Sequence, residues 1–199
     1  MGHRDEVTCL HFNWNDSYVA SGSLTGDIIL HNVTTGQSIE LRRSSKTQSI
    51  RGLEYGFVKK SLLGSISDDG SVSLWDVNAH QLTHNFTGAH SAPGTGLVFS
   101  PINNVLLFSV GLDKKIISYD TQLKSFLKSF TCDEPLTAVD FMDDGVTLAV
   151  GTNQGKIHMY DLRLASIPVK TWTAHNSSVV SLTFQSCSSE IQPKVRIQT

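Results

Sequence analysis

The sequence repeats itself. The stretches ASGSLTGDIILHN, GSISDDGSVSLWD, SVGLDKKIISYD and VGTNQGKIHMYD align, and their ends, His31-Asn32, Trp75-Asp76, Tyr119-Asp120 and Tyr160-Asp161, lie 44, 44 and 41 residues apart. A second pattern accompanies the first: His3 and Phe12, His90 and Phe99, and His175 and Phe184 are each nine residues apart. Such a period constrains the fold strongly, because one short unit cannot bury its apolar face alone and must stack on its neighbours. Within each unit, apolar-alternating runs sit between turn clusters, which is the pattern of antiparallel strands. The runs are 7–12, 18–22, 27–31 and 38–41, then 50–55, 62–67, 71–76 and 81–86. They continue with 95–99, 105–110, 115–120 and 123–130, then 136–141, 147–151, 156–161 and 169–172, and 179–184 opens a fifth unit. Asp68-Asp69-Gly70 and Asp143-Asp144-Gly145 supply turns, where glycine accepts a positive φ. No stretch holds a helical period, which argues against an α/β enzyme fold.

A period of about 40–45 with a Gly-His start and a Trp-Asp end resembles the WD-repeat family of β-propellers, and the resemblance covers nearly the whole chain. It implies an all-β fold, with blades near 3–41, 46–86, 90–130 and 133–172 and a partial blade at 175–184, so that 1–184 form one partial propeller. Residues 185–199 depart from the pattern and read as a divergent tail. WD-repeat propellers commonly close with about seven blades, within roughly 4–8. Four blades and one strand are therefore expected to form an open arc, with exposed flanks that favour self-association or poor solubility.

The chain carries 16 Lys+Arg against 18 Asp+Glu, and this near-neutral balance argues against a nucleic-acid partner. No run is apolar enough for a membrane span, and the amino terminus does not read as a secretory signal, so a cytoplasmic chain is expected. Cys9, Cys132 and Cys187 are odd in number and widely spaced, which suggests neither a disulfide framework nor a zinc site. Asp68-Asp69 and Asp143-Asp144 lack further carboxylates at metal-ligand spacing, and the eight histidines show no paired ligand motif. No cofactor is expected.

Ser, His and Asp recur together, which invites a hydrolase reading. A catalytic triad would occur once, however, whereas Ser21, Ser65 and Ser109 are 44 apart, as are Asp69 and Asp113. The G-x-S-x-G nucleophile turn is absent. The family resemblance implies instead a hydrogen-bonded tetrad inside each blade. Its members here are His90, Ser109, Asp113 and Tyr119 in the third unit, Ser65, Asp69 and Trp75 in the second, His3 and Ser21 in the first, and Tyr160 in the fourth. Thr25 and His31 replace the Asp and Trp of the first unit, and Lys46 stands where the second unit's His belongs. In the fourth unit Cys132, Val150 and Gln154 occupy three tetrad positions, so that unit is expected to rely on apolar packing. Arg42, Arg43 and Lys46 form a basic loop, with Lys114 and Lys115 on a nearby turn, and together they are a possible partner-binding patch.

Four longer strings, at 14–31, 59–78, 110–121 and 135–163, resemble within that family the vertebrate adaptors that target the γ-tubulin ring complex to centrosome and spindle. The resemblance implies a non-enzymatic scaffold that binds centrosomal or spindle proteins, localised to cytoplasm, centrosome and spindle poles. Contact with the γ-tubulin complex is implied only through a carboxy-terminal region absent here. The alternative is a substrate-receptor or adaptor module of another complex, such as a ubiquitin ligase.

Overall fold

The structure is a computed structural model that describes residues 2–41, 48–164 and 167–185, and the backbone of Val195–Gln198. Its regularity begins with the second residue of each repeated dipeptide. Asn32 Oδ1 accepts from the amides of Thr34 and Thr35 at 3.0 and 2.8 Å, and Asp76 Oδ1 from Asn78 and Ala79 at 2.9 and 3.1 Å. Asp120 Oδ1 takes Gln122 and Leu123, and Asp161 Oδ1 takes Arg163. A short side chain that captures the amides just after it ends one strand and reverses the chain. The third strand of each of these four units therefore stops at the same place.

The strands are β1 (Val7–Phe12), β2 (Tyr18–Ser23), β3 (Ile28–Asn32), β4 (Ser38–Glu40), β5 (Ile50–Tyr55), β6 (Leu62–Ser67), β7 (Val72–Asp76), β8 (Gln81–Phe86) and β9 (Gly94–Phe99). They continue as β10 (Leu106–Gly111), β11 (Lys115–Asp120), β12 (Ser125–Thr131), β13 (Leu136–Phe141), β14 (Thr147–Thr152), β15 (Lys156–Asp161), β16 (Lys170–Thr173), β17 (Ser181–Phe184) and β18 (Val195–Gln198). Among the described residues they form four antiparallel four-stranded meanders in chain order and a two-stranded fifth sheet. The fold is thus all-β, an incomplete propeller in an open arc, as expected. The fifth unit differs in one respect: its first strand pairs with β18, inside the segment expected to diverge.

The inner strands stack in sequence, β1 on β5, β5 on β9, β9 on β13 and β13 on β17. A second strand such as β6 is buried along its whole length because sheets lie on both of its faces. Alternate residues serve alternate neighbours. Leu63 and Trp75 pack with Ala20, Ile28 and Leu30 of the first sheet, while Leu62, Ile66 and Leu74 pack with Leu97, Phe99 and Leu107 of the third. Phe108, Val110 and Ile116 meet Phe141, Leu148 and Tyr160 between the third and fourth sheets. At the first sheet the series stops. Leu10 and Phe12 are 60% and 48% exposed, whereas Leu53, Tyr55, Leu97 and Phe99, their counterparts in the next two sheets, are 6–7% exposed. That flank of the arc is open.

Backbone bonds also join the sheets. The hairpin turn before the third strand offers a carbonyl to the next unit: Gly70 O accepts from His90 N at 3.0 Å, Lys114 O from Cys132 N at 2.7 Å, and Gly155 O from His175 N at 3.1 Å. The turn residue has positive φ in each case, 75° at Gly70, 67° at Lys114 and 79° at Gly155. At Gly70 and Gly155 a Cβ would also run into the carbonyl of the histidine that the turn holds, so glycine answers two demands there.

Candidate functional site

The third sheet holds the fullest polar set. Tyr119 and Ser109 hydroxyls lie 2.6 Å apart, Ser109 Oγ is 2.7 Å from His90 Nε2, and His90 Nδ1 is 2.8 Å from Asp113 Oδ1. Asp113 also accepts the amides of Ser91 and Lys115. Burial drives the His90 imidazole below its ordinary pKa more strongly than Asp113 raises it. Burial pushes the Asp113 carboxyl up, but the His90 bond and the two amides together bring it below the usual carboxylate range. A neutral imidazole beside a carboxylate fixes the proton order: Tyr119 donates to Ser109, Ser109 to His90 Nε2, and His90 Nδ1–H to Asp113. The order is that of a hydrolytic triad, but Ser109 and Tyr119 are wholly buried, and no substrate carbonyl can reach Ser109 Oγ.

Related polar sets lie in the other sheets. In the second, Trp75 Nε1–H donates to Ser65 Oγ at 2.9 Å, and Asp69 Oδ1 accepts from Ser67 Oγ and Ser71 N at 2.6 and 2.9 Å. In the first, Ser21 Oγ sits between His3 Nε2 at 2.7 Å and His31 Nε2 at 2.8 Å. His31 therefore takes the place of the ring at the end of the third strand. Thr25 bonds Ser23 and Asp27, and His3 Nδ1 is buried without a partner among the described residues. In the fourth, where Tyr160 is the one tetrad residue expected to be kept, Cys132 Sγ lies 3.1 Å from the Tyr160 hydroxyl. Val150, at the serine position, is wholly buried. Burial pushes the Cys132 thiol up, so it stays protonated and can donate.

Sequence reasoning missed three features. Thr8, Thr95 and Thr137 reach both a carbonyl of their own sheet and one of the next: Gly22 and Ile50, Val110 and Leu136, Gly151 and Val179. Their common place near the start of each inner strand was a readable signal, broken at Arg51, which pairs with Asp68 at 2.6 Å instead. The place of His31 follows from its spacing to Trp75, but its bond to Ser21 was not foreseen. Asp140 carried no signal. Its carboxylate accepts the amides of Phe141 and Phe184, and burial pushes its pKa up to about 6.

Of the basic patch, Lys114 is exposed on its turn and Lys115 half-buried at the start of β11, while Arg42, Arg43 and Lys46 lie outside the described residues. No group of three or more His, Cys, Asp and Glu side chains among the described residues could hold a metal ion.

Residues 1–32 match the family described as WD domain, G-beta repeat. Over 183 residues, 92% of this chain, the sequence is 55% identical to Protein NEDD1 of Homo sapiens, 56% to that of Bos taurus and 52% to that of Mus musculus. The chain spans 28% of the length of each of these relatives. The first repeated unit is thus similar to the WD repeat, and the later units repeat its pattern.

Proposed function

We propose that this chain of WD repeats is a non-enzymatic protein-interaction scaffold, the propeller part of an adaptor that targets the γ-tubulin ring complex to centrosome and spindle. The observation that carries the reading is its similarity to the NEDD1 proteins along 92% of its length. The buried polar sets then serve as framework: they pair polar groups inside the sheets, most fully around Ser109, and help hold strands in register. Loops at the rim are left to meet partners, which are centrosomal or spindle proteins. Engagement of the γ-tubulin complex is assigned to a carboxy-terminal region outside these residues.

The test is a chimera in which residues 6–184 replace the matching segment of human NEDD1. In mitotic cells the chimera is expected at centrosomes and spindle poles, and residues 1–199 alone should not co-precipitate γ-tubulin. A chimera diffuse in the cytoplasm, or efficient co-precipitation by the short chain, overturns this division of roles.

A further inference from the structure

We propose that the groove between the first and second sheets, where β1 and β5 turn back into β2 and β6, binds a short acidic segment of a protein partner through one large apolar side chain. This goes beyond the reading above and does not depend on it.

Two adjoining cavities of about 290 and 270 Å³ form the groove, and Trp14, Tyr55 and Lys60 line both. Its lips are apolar and open: Trp14 is 61% exposed and Phe57 66%, with Phe12 and Val58 beside them. Exposed aromatic residues clustered on two neighbouring loops mark a contact surface rather than stray apolar side chains.

Both loops are pre-organised. In the first, Asn13 Oδ1 accepts Tyr18 N at 2.9 Å and Asn13 Nδ2 donates to Ser17 Oγ at 3.2 Å. In the second, Gly56 N bonds Leu62 O and Leu62 N bonds Lys59 O, which thrusts Phe57 and Val58 outward. Little ordering entropy is left to be lost on binding.

Charge and hydrogen bonding select the ligand. Lys59 and Lys60 are exposed at the rim, and neither is paired with a carboxylate among the described residues. The Lys60 ammonium lies 3.6 Å from the Trp14 ring centroid, which holds a cation over the mouth. The carboxylate that lines the groove, Glu54, is engaged by His11 at 3.0 Å. In the wall, the Tyr55 hydroxyl is buried and has no partner among the described residues. Buried hydroxyls are nearly always paired, and a peptide carbonyl is the acceptor that a bound segment brings. An apolar anchor, flanking carboxylates and an exposed main-chain carbonyl together describe an acidic linear peptide.

The test uses the purified chain and two Trp-free peptide pools, each peptide with a single Phe, Leu or Ile, one pool flanked by Asp and Glu, the other by Lys and Arg. Tryptophan emission is followed, with Trp14→Phe as the control that silences the reporting ring. The acidic pool is expected to change the emission saturably, to lose affinity in high salt, and to bind a Lys59→Glu/Lys60→Glu variant about tenfold more weakly. Tyr55→Phe should weaken binding about fivefold without lowering the melting temperature. No response to the acidic pool, equal response to the basic pool, or unchanged binding by the charge-reversed variant overturns the proposal. The salt titration needs no variant, so it decides even if a substituted chain misfolds.

Discussion

The third and fourth sheets solve one problem with different chemistry. Tyr119 and Tyr160 end equivalent strands, both rings are buried, and both phenolic pKa values are pushed up by burial. From Tyr119 a chain of four polar groups runs to Asp113, whereas the partner of Tyr160 among the described residues is a thiol and Val150 fills the serine's place. Yet β13–β16 pair in the same meander as β9–β12. The sheet geometry therefore does not need the polar chain. What the chain adds is satisfaction of groups that, once buried, are costly to leave alone.

The sharpest way to break the comparison is Asp113→Ala. It strips the buried His90 Nδ1–H of its acceptor and should lower stability by about 2–3 kcal/mol, read from urea denaturation at pH 7. Asp69→Ala loses bonds to Ser67 and Ser71 at the matching turn and should cost about 1–2 kcal/mol. Losses at these positions no larger than at the fourth sheet's turn would remove the distinction.

Acid gives a second, smaller effect. His90 titrates below its ordinary 6.5 when folded, so the unfolded chain takes up the proton first. Its contribution to stability is present above 6.5 and is lost as pH falls from there toward the folded value. Asp113, held below 3.8, adds its own loss only below 3.8, as pH falls through its folded value. His90→Gln should flatten the decline of melting temperature between pH 6.5 and 5. Part of the decline will persist through His31, His84 and His158, which burial also pushes down. In the fourth sheet the thiol stays neutral and His158 adds to the decline. Asp140, raised to about 6, opposes it, because its folded carboxyl takes up a proton before the unfolded one does.

Two substitutions at turns complete the series. Lys114→Gly should stabilise by about 1 kcal/mol in thermal melts, since a side chain at φ 67° carries a steric penalty that glycine escapes. Gln154→Ala, an exposed change in the fourth sheet's turn, should stay within about 0.5 kcal/mol. A large loss there would mean that the fourth sheet depends on its turn as much as the third does.

The fold was legible because its signals are periodic: Ser21, Ser65 and Ser109 recur at a fixed interval, and so do the dipeptides that end each third strand. Strand starts were less legible. The run expected at 123–130 begins at Ser125, because Asp120 captures the amides of Gln122 and Leu123 and holds them in the turn. Bonds between ordinary polar side chains, as around Ser109, are easier to anticipate than bonds made by substituted residues. Nothing in a cysteine announces a bond to Tyr160, and a histidine in place of a tryptophan reads as a loss until Ser21 is seen between two imidazoles. β18 was missed because its short run follows a stretch without the repeat's turn signals.

The carbonyl of each hairpin turn bears on how such a chain can drift. Gly70, Lys114 and Gly155 hand the same bond to the next unit whether the receiving residue is His90, Cys132 or His175. The angular pitch of the arc is thus geared through main-chain atoms, which no ordinary substitution removes. Side chains in the gear's path can be exchanged, as the fourth sheet has exchanged most of its set, while each unit still lands at the angle its predecessor dictates. Only a residue without an amide hydrogen would disengage the teeth, so a proline at position 90, 132 or 175 removes a link that the loss of a whole tetrad leaves in place.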